Sequence, residues 1–229
     1  MKKVWQKIPA WLKAMLLNII LLYPIITINH IIIKLNLEHF PEYGIGLILV
    51  LMMLYLYWRI IIKWNPFTSK DDIEISFTFN ILDKKNIISI LGLGLFTVLT
   101  IYFSYIIFDI DNSPQLDFIK SFSNYDAITA IPLLLALTLT AGVVEEVTYR
   151  GFMQNTTNRK YAKIVSYLII GVLFAIIHFL PLELILPYIL ISIAYSFIAD
   201  KQKSTGLVIF THFLADFVLF MLIYLNVLS

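Results

Sequence analysis

The sequence contains no cysteine and few charged residues, and each of these features excludes certain classes of protein. Without cysteine it forms neither disulfide bonds nor a thiolate metal site. Charged residues make up only 14% of the 229 residues, well below the share of about a quarter that is typical of soluble domains. The net charge of +2 is too small to indicate a nucleic-acid partner, and none is expected.

Apolar residues take the place of the missing charge. They make up 60% of the chain, and the mean hydropathy is +0.86. Seven apolar runs are each long enough to cross a bilayer: residues 11–33, 43–62, 87–107, 127–151, 164–180, 182–199 and 206–228. We therefore predict an all-α fold, a polytopic transmembrane helix bundle of about seven spans, with the first span kinked at Pro24. That first run is too long for a signal peptide.

The distribution of basic residues predicts the topology. With a cytoplasmic N-terminus, all of the 17 Lys and Arg except Lys34 and Lys120 fall on the cytoplasmic side. The outer loop at 109–126 is acidic, and the C-terminus then lies outside. Residues 64–86 mix charged and apolar side chains, and we interpret them as an amphipathic surface segment or a plain loop. Abundant Ile, Lys and Asn favour a bacterial source, so we expect a multi-pass protein of the cell membrane.

Two adjacent carboxylates, Glu145 and Glu146, occur late in the fourth apolar run with Arg150 just after them. Such residues cost about 2.5–3.5 kcal/mol each at the centre of a membrane helix, and they usually mark a function. Glu146 and Arg150 are four residues apart, share a helix face and are expected to pair. Glu145 is turned by about 100° and is free for another role.

Two later histidines each have a companion four residues away. His178 follows Phe174 in the fifth run, and His212 precedes Asp216 in the seventh, where the aspartate can orient the imidazole. Glu145 and His178 meet only if the fourth helix continues past Arg150 to about residue 158 before the chain turns. His178 lies further into its span than His212, which predicts a height difference of roughly 10 Å.

This set of side chains suits the activation of water. The sequence has neither a G-x-S-x-G nor an H-E-x-x-H motif. A desolvated Glu145 can act as general base with His178, while His212 stabilises an oxyanion. Alternatively, Glu145, His178 and His212 hold a divalent metal such as zinc, and the residues alone leave this open. His30 and His39, near the ends of spans, are interpreted as solvated.

Three short motifs resemble those of one known family. Glu145-Glu146-Val147-Thr148-Tyr149-Arg150 resembles its EExxxR motif, Phe174-Ala175-Ile176-Ile177-His178 its FxxxH motif, and His212-Phe213-Leu214-Ala215-Asp216 its HxxxN/D motif. The family is that of the CAAX-protease and bacteriocin-processing (CPBP, or Abi) intramembrane endopeptidases. Its prenyl-protease branch typically has Asn where this chain has Asp216, which only accepts hydrogen bonds when ionised.

The resemblance implies a site in a membrane cavity that opens to the cytoplasm. It implies catalytic roles for six residues: Glu145, Glu146, Arg150, His178, His212 and Asp216. Residues 127–229 would form the catalytic part of a single membrane domain, and residues 1–126 would add three N-terminal helices.

The resemblance also implies a substrate class. We expect cleavage of a small membrane-associated peptide or protein, in peptide-signal or bacteriocin processing or in self-immunity. The alternatives are a non-catalytic membrane scaffold or immunity protein and, less favoured because no internal repeat is visible, a small proton-coupled transporter. The sequence leaves the oligomeric state open.

Overall fold

Eight helices form the part of the chain that this computed structural model describes, which comprises residues 7–41, 44–63, 76, 80–108, 114–178, 180–225 and 227. They are α1 (Ala10–His39), α2 (Ile45–Lys63), α3 (Lys84–Phe108), α4 (Pro114–Lys120), α5 (Ala127–Asn158), α6 (Lys163–Ile177), α7 (Leu182–Gln202) and α8 (Thr205–Tyr224). A 3₁₀ turn, Ser121–Asn124, extends α4. These residues contain no strand, which confirms the predicted all-α class.

Each of the seven predicted apolar runs forms a helix. Five of the helices, α1, α3, α5, α7 and α8, are long and apolar enough to cross a membrane, while the apolar parts of α2 and α6 are shorter. Large apolar side chains such as Ile48, Met52 and Leu91 point outward and are about 60% exposed, as expected for a surface that faces lipid. The protein is therefore a multi-pass membrane protein, and the total of seven spans stays a prediction.

Two predicted segments differ from the structure or lie beyond it. The acidic outer loop at 109–126 contains α4, because Leu116, Ile119 and Phe122 recur every three residues and bury their side chains. The interpretation of residues 64–86 falls mostly outside the described residues, since only residue 76 and residues 80–86 of that segment are described.

Two of the long helices contain wide π-helical turns. In α1 the turn Asn18–Leu22 lies directly before Pro24, where the sequence predicts an irregularity. In α5 two such turns, Ala141–Glu145 and Val147–Met153, enclose the double glutamate. Turns of this type frequently occur at functional sites, because they shift side chains out of regular helical register.

Helix α5 is continuous from one end of the bundle to the other. Before its first turn, Asp126 accepts a hydrogen bond from the backbone N–H of Thr129 at 2.8 Å, and this bond holds the pKa of the carboxyl below its ordinary value. Its 32 residues span about 48 Å. The predicted continuation past Arg150 is confirmed, because α5 ends only at Asn158.

Asp200 fastens α5, α6 and α7 together beside the α5–α6 turn. Its carboxylate accepts hydrogen bonds from Tyr167 at 2.6 Å and Gln154 at 2.8 Å, and it pairs with Lys163 at 2.8 Å. We call this end of the bundle the basic end, because Lys201, Lys203 and the residues of the turn at 159–163 lie there. The opposite end, where α4 lies, is called the α4 end.

The helices form two packed groups around a cavity of about 610 Å³. Helix α1 packs against α2 and α5, whereas α3 packs against α7 and α8. Helix α8 also packs against α5, so that the two groups join along this pair. Gly142 permits their close approach, since a Cβ atom there would lie 3.0 Å from the carbonyl oxygen of Ile209.

Candidate active site

Glu145 ends the first π turn of α5 and faces His178 at the end of α6. The residue is 5% exposed, and its Oε2 lies 3.8 Å from Nε2 of His178. The other ring nitrogen, Nδ1, lies 2.7 Å from the carbonyl oxygen of Phe174 and donates to it, so Nε2 is the ring nitrogen that faces Glu145. The α5–α6 hairpin thus brings together the carboxylate and the imidazole that the sequence pairs.

Glu146 points the other way and is fully buried. Its Oε1 accepts a hydrogen bond from Nη1 of Arg150 at 3.0 Å, as the spacing predicts. Nη2 of Arg150 donates to the carbonyl oxygen and the hydroxyl of Ser192 on α7, at 2.9 and 3.0 Å. The rings of Tyr149, Phe174 and Tyr195 surround the guanidinium at 5.4–5.6 Å. This network lets a charged pair stay inside the bundle and connects α5 with α7.

His212 on α8 lies between two carboxylates. Nδ1 is 2.7 Å from Oε1 of Glu146, and Nε2 is 3.3 Å from Oδ2 of Asp216. Because Glu146 already accepts from Arg150, it also serves as acceptor for the Nδ1–H of His212. The sequence predicts Asp216 as the residue that orients His212, and the structure adds Glu146, which makes the shorter contact.

A side chain of α2 hydrogen-bonds to the backbone of α5 at its wide turns. Tyr57 of α2 donates its hydroxyl proton to the carbonyl oxygen of Val144 at 3.2 Å and lies 2.9 Å from the hydroxyl of Thr148. Tyr57 is 2% exposed, and the carbonyl group that it contacts belongs to the residue directly before Glu145. Tyr57 therefore stabilises the π turn that carries the Glu145 carboxylate, and no sequence motif predicts this role.

The two histidines reach one cavity in spite of their different heights. The ring of His212 lies 6.3 Å from that of Phe174, one helical turn before His178 in α6. The ring of Phe174 also lies 4.7 Å from that of His178, so one aromatic ring contacts both imidazoles. Glu145, His178, His212 and Asp216 all line the cavity.

Asn29 is a polar residue of the site that the sequence analysis overlooked. It is fully buried in α1, lines the cavity, and donates from Nδ2 to the hydroxyl oxygen of Thr140 at 3.1 Å. Thr140 donates its own proton to the carbonyl oxygen of Ala136 and therefore accepts from Asn29, and this contact uses one of the two N–H bonds of the Asn29 amide. The position of this asparagine among the apolar residues of the first span would have been sufficient to indicate a functional residue.

The remaining cavity wall is apolar and aromatic, with one unexpected histidine. Tyr102, Tyr105 and Ile106 come from α3, and Leu116 and Phe118 from α4. His30 also lines the cavity and stacks on Phe118, with 4.0 Å between ring centroids. Because α4 covers part of it, His30 is only partly exposed and is less solvated than interpreted, whereas His39 is exposed, as expected.

The described residues do not fit the predicted zinc site well. Among them, no group of three or more His, Cys, Asp and Glu side chains is arranged to hold a metal ion. Both ring nitrogens of His212 also face carboxylates, one of which is occupied by Arg150. We therefore derive no catalytic step through a metal, and the metal ligand set Glu145, His178 and His212 stays an untested prediction.

Comparison with known proteins identifies one match. Residues 127–218 match the family model described as "Type II CAAX prenyl endopeptidase Rce1-like". No curated protein and no solved structure matches the chain. The matched range begins with α5, ends two residues after Asp216, and includes all three motifs. It confirms the resemblance to the CPBP family, which is a family of proteases.

Proposed function

We propose that this chain, whose residues 127–218 match the Rce1-like family model, is an intramembrane endopeptidase that cleaves a small membrane-associated peptide or protein. One observation carries the proposal. Glu145 is buried beside His178, and its Oε2 has no hydrogen-bond partner among the described residues. A carboxylate kept in this condition next to a cavity is suited to accept a proton from water.

In the proposed reaction Glu145 and His178 hold the attacking water between them. The water oxygen bonds to the carbonyl carbon of the substrate, and one of its protons passes to Glu145. When the carbon–nitrogen bond breaks, that proton moves to the leaving nitrogen and the carboxylate is restored. The tetrahedral intermediate carries a negative oxygen in between, which needs nearby donors.

We propose that the positive charge of His212 stabilises this oxygen and that Asn29 donates a hydrogen bond to it. With Glu146 accepting at Nδ1 and Asp216 beside Nε2, the imidazole of His212 is held in the doubly protonated form, which presents positive charge to the cavity. Asn29 adds a neutral N–H from α1. It can thus supply the amide donor that Asp216 does not supply.

The test compares peptides released by cells that carry the native chain or a variant. Glu145→Gln and His178→Ala should each abolish one or more processing events while the protein still accumulates in membranes. Glu183→Gln, which changes an exposed carboxylate in the first turn of α7, is the matched control and should process normally. Complete processing by both active-site variants would instead favour a non-catalytic scaffold or immunity protein.

A separate measurement tests for a metal requirement. Metal content of the purified protein, with and without His212→Ala, tests whether a divalent ion is bound stoichiometrically. Stoichiometric zinc that disappears with His212→Ala would replace the Glu145–His178 water mechanism with a metal-assisted one.

A further inference from the structure

The direction in which the cavity extends indicates where the substrate comes from. This inference rests on the function proposed above. We propose that the active site receives its substrate from the extracytoplasmic side of the membrane. The substrate would then be an apolar peptide segment at the outer face, and not a prenylated C-terminus in the cytoplasm. This differs from the cytoplasmic opening that the family resemblance implies.

The lining residues show where the cavity leads. From Glu145 it extends along α5 towards Leu137, that is, away from the basic end at Asn158. On α8 it continues from His212 to Ile223, in the last turn of the helix, and on α3 as far as Ile106. Its far end is formed by α4.

The other direction, from the site to the basic end, is filled with side chains. Arg150 and Tyr149 are 3% and 0% exposed, and Phe152 and Met153 follow them in the buried core. Beyond these, Gln154 joins the Asp200 cluster. A substrate that came from the basic end would have to displace the Glu146–Arg150 network, on which the site is built.

The charges at the two ends indicate which side of the membrane each one faces. At the basic end Lys201 lies in the last turn of α7 and Lys203 directly follows the helix, near the turn at 159–163. The start of α3 lies there too, because Gln202 donates a 2.8 Å hydrogen bond to Ser89. At the α4 end the cavity is lined by a single lysine, Lys120, near Asp117 and Asp126. Cytoplasmic ends carry the excess of Lys and Arg, so the α4 end is extracytoplasmic.

The walls of the cavity indicate the kind of molecule that fits. Aromatic and branched apolar side chains dominate. Asn29 and Thr140, which hydrogen-bond to each other, form a polar level of the wall, and Thr140 precedes Glu145 by five residues on α5. Such a surface accepts an apolar segment whose backbone amide reaches the polar level. Lys120 and His30 at the α4 end can meet the polar or acidic flank of that segment.

The absence of native cysteine makes the proposal testable with single introduced thiols. Lys120→Cys marks the α4 end and Lys160→Cys the basic end. Tyr102→Cys places a thiol in the cavity wall, and its neighbour Phe103→Cys, 51% exposed on the outer face of α3, is the matched control. Each full-length variant is treated with a membrane-impermeant charged maleimide in intact cells and in inverted membrane vesicles. If Tyr102→Cys does not accumulate, Ile101→Cys replaces it.

We expect Lys120→Cys and Tyr102→Cys to react in intact cells, Lys160→Cys to react only in inverted vesicles, and Phe103→Cys to stay unlabelled in lipid. Reaction of Tyr102→Cys from the basic side only, or from neither side, would overturn the proposal. So would the opposite sidedness of Lys120→Cys and Lys160→Cys. Labelling needs no hydrolysis, and adding Glu145→Gln should leave the pattern unchanged, so its outcome is independent of whether the chain is a protease.

Discussion

Replacing each of the two adjacent glutamates by glutamine should give opposite results. At Glu146 the change removes a carboxylate that accepts two charged hydrogen bonds, from Arg150 at 3.0 Å and from His212 at 2.7 Å. Arg150 is only 3% exposed and would keep an uncompensated charge. Removing one partner of a buried pair costs about 3–5 kcal/mol, which corresponds to a fall in Tm of about 6–20 °C for a chain of this size.

At Glu145 the same substitution should leave the fold intact. Its Oε2 lies 3.8 Å from Nε2 of His178 and makes no hydrogen bond among the described residues. A neutral amide of the same shape also avoids the cost of a buried charge, so the change in free energy of unfolding should stay within about 0.5 kcal/mol. The cleavage rate should nevertheless fall about 10²–10⁴-fold, because the general base is lost.

The assay measures thermal unfolding of both purified variants in detergent, together with cleavage of the native peptide in membranes. Glu183→Gln controls for the loss of one carboxylate elsewhere. The reasoning is refuted if Glu145→Gln lowers Tm as much as Glu146→Gln, or if Glu146→Gln unfolds like the native protein. Either outcome would mean that the two carboxylates do not have separate structural and catalytic roles.

Three further substitutions test the packing and the histidine. Gly142→Ala should lower Tm by about 2–12 °C, because its Cβ would meet backbone atoms of α8 at 3.0–3.1 Å and overpacking costs about 1–3 kcal/mol. The control is Gly92→Ala, whose Cβ would have nothing within 4 Å, and it should leave Tm unchanged or higher. Ser192→Ala removes one acceptor of Arg150 but keeps the carbonyl, so the loss should be only about 1 kcal/mol by thermal unfolding, with processing retained. Asp216→Asn removes the charge beside Nε2 of His212, and the cleavage rate should fall about 10–100-fold with Tm nearly unchanged; an unchanged rate would remove Asp216 from the mechanism.

Much of this protein could be predicted from local patterns. Apolar runs of about 20 residues require helices in a membrane, because every backbone N–H and C=O must be satisfied within the segment. The four-residue spacing of Glu146 and Arg150 fixed their pairing, and the position of the α5–α6 turn fixed the meeting of Glu145 with His178. These features depend only on helical geometry and on sequence separation, which a single sequence contains.

Only the tertiary structure decided the rest. The contact of His212 with Glu146 joins residues on α5 and α8, and the support of Val144 by Tyr57 joins α5 and α2. No spacing in the sequence predicts either contact, since both depend on how separate helices pack. The same holds for α4, which lines the far end of the cavity. Its apolar positions are ordinary in the sequence, and only the packing of the bundle shows that the cavity runs from Glu145 towards it.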